Sequence, residues 1–268
     1  IIQRDYAQGR SAEREVRQGF LGTLYGYLEE GQSNRDLYFV YGSLFDDGGV
    51  QKFVPLDGQQ RLTTLFLLHW YLANLSGNAE SFRSVMTLNN RSLFTYETRA
   101  SSSEFCNALM AFDLDATVLG ANGSGNGSKP SDVIRDSGWF YLSWSHDPTI
   151  QSMLTMLDAI HLKFFGNPEF YQRLIDTENP VITFLFLNFH IFGLTDDLYI
   201  KMNARGKPLT DFENFKAKFE QRIKAVGNVT ASHQLPFRDE QVGDYEYFIH
   251  KIDTDWADIF WAYRNTSN

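Results

Sequence analysis

The feature that most constrains this chain is a single change of pattern at residue 57. A strand-like stretch, Gln51–Leu56, ends at Asp57-Gly58, and a helical pattern starts at Gln59. After Thr64 this segment is apolar on nearly every side as far as about Leu75, which is typical of a centrally buried helix. The sequence therefore predicts a strand, a tight turn and a buried helix in direct succession, with the start of the helix held rigidly.

Such a helix start is suited to binding an anion. Its first backbone N–H groups have no partner within the helix and carry partial positive charge. Arg61 adds a planar fork of donors that matches phosphate oxygens, and Asp57 could hold a metal-bound phosphate or orient a water. The nearby polar side chains that could position water or reach a metal or phosphate are Gln59, Gln60, Thr63 and Thr64. The alternative is a plain Asp-Gly turn between a strand and a buried helix, with these residues solvated or bonded locally.

A second group of candidates stands at the start of the chain, in Gln3-Arg4-Asp5-Tyr6. On an extended segment Arg4 and Tyr6 would face the same side, because side chains alternate with a period of two. Arg4 could bind a phosphate. Tyr6 could stack on a base or simply pack in the core.

A third group follows a strand predicted at 197–203, in Asn203-Ala204-Arg205-Gly206. Gly206 would permit a positive φ and a close backbone approach. Arg205 could neutralise charge on a transferred phosphoryl group, or it could merely pair with Asp211.

These segments together resemble a known family. The run Asp57-Gly58-Gln59-Gln60-Arg61-Leu62-Thr63-Thr64-Leu65 looks like the signature of the ParB/sulfiredoxin-like domain that opens the GmrSD-type restriction endonucleases. Three further segments agree with the family pattern in order: Gln3–Tyr6, Tyr96–Arg99 with Ser101–Phe105, and Asn203–Thr210. The resemblance implies an α+β fold in which a small ParB/sulfiredoxin-like mixed sheet carries the strand-turn-helix beside a large helical lobe.

The resemblance also implies a function. It points to a prokaryotic anti-phage protein whose N-terminal domain binds and hydrolyses nucleoside triphosphates with Mg²⁺ or another divalent cation, and works with an HNH-type nuclease against modified DNA. The catalytic residues would then be Asp57, Gln59, Gln60 and Arg61, with Asp57 also the metal ligand. The nucleotide-binding residues would be Gln3, Arg4, Tyr6, Gly58, Thr63, Thr64, Asn203, Arg205 and Gly206. Two alternatives stay open: a module that senses a nucleotide or modified DNA without hydrolysis, and direct DNA cleavage by this chain.

Composition limits the remaining possibilities. With 43% hydrophobic and 15% aromatic residues, the chain is globular rather than disordered. A net charge of −9 argues against a free-standing, non-specific DNA binder. The single cysteine, Cys106, fits a reducing compartment, and the longest apolar run is far short of the roughly 20 residues that cross a bilayer. We therefore expect a cytoplasmic protein without a membrane span.

The predicted organisation is a single domain over residues 1–268. Residues 1–75 and about 178–226 would form the α/β core that bears the site, and 76–177 and 227–268 would be mainly helical additions. We expect the nuclease module to lie outside these residues, because no HNH pattern is complete within them. The predicted elements are helices at 11–31, 59–75, 104–112, 132–142, 148–165, 168–176, 210–226 and 240–263, and strands at 37–41, 51–56, 181–189 and 197–203.

Overall fold

A computed structural model describes most of the first two thirds of the chain and parts of the remainder. The described residues are 6–96, 99–119, 127–188, 216, 218–219, 222–223, 233–234, 241–253 and 256. The chain divides into two compact units, 3–192 and 193–268. The single domain inferred from the sequence stays a prediction.

A three-stranded mixed sheet carries the strand-turn-helix of the first unit. Strand β1 (Arg35–Asp47) lies between β2 (Val50–Asp57), which is antiparallel to it, and β5 (Ile182–Asn188), which is parallel to it. The β1–β2 hairpin turns at Gly48 and Gly49, whose φ angles are 64° and 88°. Glycine reaches such angles without strain, and tight hairpin turns require them. The predicted hairpin and the predicted mixed sheet are confirmed.

α-Helices are the commonest element among the described residues of the first unit. They are α1 (Arg14–Glu30), α2 (Gln59–Leu75), α3 (Ala79–Met86), α4 (Ala100–Ala111), α5 (Pro130–Arg135), α6 (Pro148–Phe164) and α7 (Phe170–Ile175). Helix α2 packs against α6, and α6 packs in turn against α1 and α5. The bulkiest side chains between them, such as Trp70, Tyr71 and Phe164, are fully buried. The α+β class and the central burial of α2 are confirmed.

Two local features differ from the prediction. Helix α3 leads into a short hairpin, β3 (Thr87–Leu88) with β4 (Arg91–Ser92), and neither was predicted. Its turn uses Asn89 and Asn90 at φ angles of 51° and 60°, because asparagine tolerates the left-handed region. The helix predicted over 132–142 was too long: α5 ends at Arg135, and an aromatic segment follows that packs Trp139 and Phe140 against Phe105.

The second unit is described only in part. Residues 216, 218–219 and 222–223 are helical, inside the helix predicted over 210–226. Strands β6 (His233–Gln234) and β7 (Gln241–Val242) pair antiparallel and precede helix α8 (Asp244–Asp253). The last predicted helix therefore begins at Asp244 rather than at 240. Within the described part of the chain, no helix combines the length and the apolarity needed to cross a bilayer.

Candidate functional site

The turn between β2 and α2 requires glycine for two reasons. Gly58 has φ 88° and ψ 0°, a conformation that residues with a Cβ rarely adopt. A Cβ at this position would also lie 2.9 Å from Cγ2 of the buried Val40. The helix starts at once, because the Leu62 amide donates to the Gly58 carbonyl at 2.9 Å. The amides of the first turn are not used by the helix itself, so the turn delivers a rigid helix start to the end of β2.

Arg61 and Asp57 converge beside this helix start. Nη2 of Arg61 lies 3.2 Å from Oδ2 of Asp57, as expected for residues four apart across the turn. The Asp57 side chain is 49% exposed and the Arg61 side chain 19% exposed. A carboxylate that solvent reaches is thus paired with an arginine side chain that is largely buried.

The Arg61 guanidinium also binds two backbone carbonyls. Nη1 donates to the Leu37 carbonyl at 2.5 Å, and Nη2 donates to the Phe39 carbonyl at 2.7 Å. The reason lies in the sheet: the last pair between β1 and β2 is Tyr41 with Asp57, so the earlier part of β1 runs past the end of β2. Arg61 supplies donors that a longer β2 would have provided. With the bond to Asp57, three of its five N–H groups are used by the residues that the structure describes, and two are not.

The two glutamines of the motif tie the helix start to its surroundings. Nε2 of Gln59 donates to the Pro55 carbonyl at 2.9 Å, across the turn. Oε1 of Gln60 accepts from the Gln8 amide at 3.1 Å, which fixes the N-terminal segment to α2. Both side chains are half-buried. They position the helix start, and this contact pattern was not foreseen from the sequence.

Three predicted nucleotide-binding residues form a buried hydroxyl network on the core side of α2. The Tyr6 hydroxyl lies 2.5 Å from Oγ1 of Thr64, and the Tyr96 hydroxyl lies 2.8 Å from Oγ1 of Thr63. All four side chains are buried. Removal from water raises the pKa of Tyr6 and of Tyr96, so both phenols stay protonated. These contacts favour packing as the role of Tyr6, and nucleotide contact by Tyr6, Thr63 and Thr64 stays a prediction.

Tyr96 contacts the start of α2, and Arg99 contacts the start of α6. Nη1 of Arg99 donates to Oγ1 of Thr149 at 3.1 Å. Asp147 caps α6 by accepting from the amides of Thr149 and Ile150 at 2.8 and 3.1 Å, and its Oδ2 also accepts from the Ser101 hydroxyl. The sequence reasoning missed Asp147. Its signal was an Asp-Pro pair directly before a helical pattern, which is typical of an N-cap.

Comparison with protein families agrees with this geometry. The model of the family described as "GmrSD restriction endonuclease, N-terminal domain" matches residues 1–220. The chain belongs to this family. The match contains the strand-turn-helix at Asp57–Arg61 and the Tyr96–Arg99 segment, so the resemblance inferred from the sequence is confirmed. Comparison with curated proteins and with solved structures found no match.

The other predicted site residues of this GmrSD N-terminal domain lie outside the described part of the chain. Gln3 and Arg4 lie outside the described residues. So do the three residues of the second polar turn, Asn203, Arg205 and Gly206. A cavity of about 640 Å³ lies beside Trp139 and Trp144, and none of the predicted site residues lines it.

The described residues offer Mg²⁺ single carboxylates rather than a cluster of ligands. Among the described residues, no group of three or more His, Cys, Asp or Glu side chains could form a protein-made metal cage. Mg²⁺ usually keeps several waters and binds through one or two carboxylates together with substrate phosphates. The half-exposed Asp57 carboxylate fits that second mode, since only one of its oxygens is bonded to Arg61. Metal binding by Asp57 stays a prediction.

Proposed function

We propose that this GmrSD N-terminal domain binds a nucleoside triphosphate at the start of α2 and hydrolyses it in the presence of Mg²⁺. The observation that carries the proposal is the meeting of Asp57 and Arg61, 3.2 Å apart, beside the glycine turn that begins α2. Helix amides, a guanidinium and an accessible carboxylate then lie together. Phosphoryl transfer relies on positioning and charge stabilisation, which these groups supply.

Each residue has a distinct role in the proposed reaction. The first-turn amides of α2 would hold phosphate oxygens, helped by the N–H groups of Arg61 that the β1 carbonyls do not use. The Asp57 carboxylate would orient the attacking water or hold the metal. Bound Mg²⁺ would supply neutralisation of the phosphate charge. Gln59 and Gln60 would keep the turn in place through their bonds to Pro55 and Gln8.

The wider context comes from the family. Membership places the chain with components of restriction systems, and the mixed sheet with its helical lobe is compatible with a ParB/sulfiredoxin-like fold. We propose that nucleotide hydrolysis is coupled to cleavage of modified DNA by an HNH-type nuclease, either in the same protein or in a partner. The net charge of −9 supports a model in which this domain hydrolyses the nucleotide and another module binds the DNA, because an acidic domain attracts DNA poorly.

The test is phosphate release from the four common triphosphates, with and without Mg²⁺ and DNA. Asp57→Asn keeps the size of the side chain and removes its charge, so we expect release to fall by about 100-fold or more. The matched control is Asp113→Asn, which removes the carboxylate from another Arg–Asp pair, Arg83 with Asp113. We expect the control to retain wild-type release. Equal activity of the two variants would overturn the assignment of Asp57.

The second candidate is a sensor that binds a nucleotide without turnover. It is favoured by the commitment of Arg61 to two backbone carbonyls, and by the lack of a metal-binding acidic cluster among the described residues. Isothermal titration separates the two functions. Nucleotide binding by the wild type, without phosphate release under any of the conditions above, would establish the sensor in place of the hydrolase.

A further inference from the structure

Tyr38 has an unusual backbone conformation for its residue type. Its φ angle is 68°, within strand β1. The other described residues with positive φ are glycines or asparagines, which tolerate the left-handed region. For a bulky side chain this conformation is strained, and such strain persists only where the surroundings impose it.

The contacts that impose it come from the candidate site. Between Asp36 and Phe39 the pairing of β1 with β5 shifts register, so two residues of β1 oppose one of β5. The Tyr38 amide donates to Oδ1 of Asp36 at 2.8 Å. Arg61 donates to the carbonyls of Leu37 and Phe39, one on each side of Tyr38. The arginine of the family motif therefore holds the bulge that carries Tyr38.

The strained conformation displays the ring to solvent. The Tyr38 residue is 74% exposed, whereas Leu37 and Val40 on the same strand are each 3% exposed. The side chain of Tyr38 makes no hydrogen bond or ring contact with any other residue that the structure describes. Core packing therefore does not account for the strain. The Tyr38 ring is instead exposed to solvent, on the residue between the two carbonyls to which Arg61 donates.

We propose that Tyr38 is the surface on which the base of the bound nucleotide stacks. This inference rests on the proposed function, in which the phosphates occupy the start of α2 beside Arg61. The backbone of Tyr38 lies between the two carbonyls that Arg61 binds. The ring would contact the base, while the polyphosphate contacts the helix start. Stacking uses the π-face that every base has, so the site would accept all common bases with little preference. The substrate class is then a nucleoside triphosphate of any base.

Binding of the four nucleotides and of tripolyphosphate, which has no base, tests the inference. Asn tolerates positive φ, so Tyr38→Asn removes the ring and relieves the strain at once. We expect its Kd for each nucleotide to rise about 10- to 100-fold, as loss of one stacked base predicts, with the Kd for tripolyphosphate unchanged. We also expect its urea midpoint to be no lower than that of the wild type. Tyr38→Phe keeps the ring and should bind as the wild type does.

Controls separate the possible failures. Tyr141→Ala removes another exposed tyrosine, 63% exposed and packed on Trp144, and should leave nucleotide affinity unchanged. Wild-type nucleotide affinity in Tyr38→Asn would overturn the stacking inference alone. An equal loss of tripolyphosphate binding would also overturn it, because the ring would then act on the phosphate site. If the wild type bound neither tripolyphosphate nor any nucleotide, the proposed function itself would fail.

Discussion

Replacement of Gly58 by alanine should destabilise this domain strongly, and for two separable reasons. Alanine at φ 88° adopts the left-handed conformation, which costs a residue with a Cβ about 1–2 kcal/mol. The new Cβ would also lie 2.9 Å from Cγ2 of Val40 and 3.3 Å from its Cγ1, and overpacking of this kind costs about 1–3 kcal/mol. We therefore expect the free energy of unfolding to fall by about 2–5 kcal/mol, a large part of the roughly 5–15 kcal/mol typical of a domain.

Gly77 provides the matched control. It has a φ angle of 72°, and apart from its two chain neighbours no described residue has an atom within 4 Å of the Cβ that alanine would add. Gly77→Ala should therefore show the backbone penalty alone, about 1–2 kcal/mol. The excess of Gly58→Ala over Gly77→Ala measures the overlap with Val40.

Urea unfolding followed by circular dichroism and tryptophan fluorescence provides the assay, with the m-value checked for constancy. A double-mutant cycle with Val40→Ala adds a direct test of the overlap. The smaller side chain removes the methyl groups in the way, so the two substitutions together should cost about 1–3 kcal/mol less than their sum. Strict additivity, or a Gly58→Ala variant no less stable than Gly77→Ala, would refute the close-approach argument.

Three further predictions concern the core around α2. Thr64→Val leaves the buried Tyr6 hydroxyl without its 2.5 Å partner, so urea unfolding should show a loss of about 1–3 kcal/mol, part of which Tyr6→Phe in the same chain restores. Burial lowers the pKa of His69, so the unfolded state binds a proton at this side chain more readily than the folded state does. The free energy of unfolding should therefore keep its full value above about pH 6.5 and decrease as the pH falls below it. The decrease should be steeper in the wild type than in His69→Gln. Burial raises the pKa of Cys106 to about 12, so iodoacetamide should label this thiol only as fast as the domain unfolds; rapid labelling of the folded protein at about pH 8 would contradict its burial.

Local pattern was enough to place the candidate site on its elements. The Asp57-Gly58 pair predicted the turn, the apolar run after Thr64 predicted a buried α2, and both boundaries of that helix are as expected. These features depend on contacts between near neighbours in sequence, such as the bond from Leu62 to Gly58. Residue type and spacing therefore suffice for them.

The roles of the side chains were less predictable. Arg61 has the chemistry of a phosphate ligand, yet two of its five donors bind carbonyls of β1, more than 20 residues earlier in the chain. The bulge at Tyr38 was not foreseen, because it depends on β5 and Arg61 lying beside β1. The N-cap at Asp147 was missed although its signal is local. A sequence shows which donors a residue has, but it does not show which acceptors the fold brings to them.

The sequence by itself thus determined the family, the α+β class and the strand-turn-helix that begins at Asp57, since these follow from motif and periodicity. Only the tertiary structure decided that Thr64 contacts Tyr6, 58 residues away in sequence. The same holds for the pairing of β1 with β5, which lies near the opposite end of the first unit in sequence. The physical reason is that such pairings depend on how the helices between them pack. Local conformational preference carries no information about that packing.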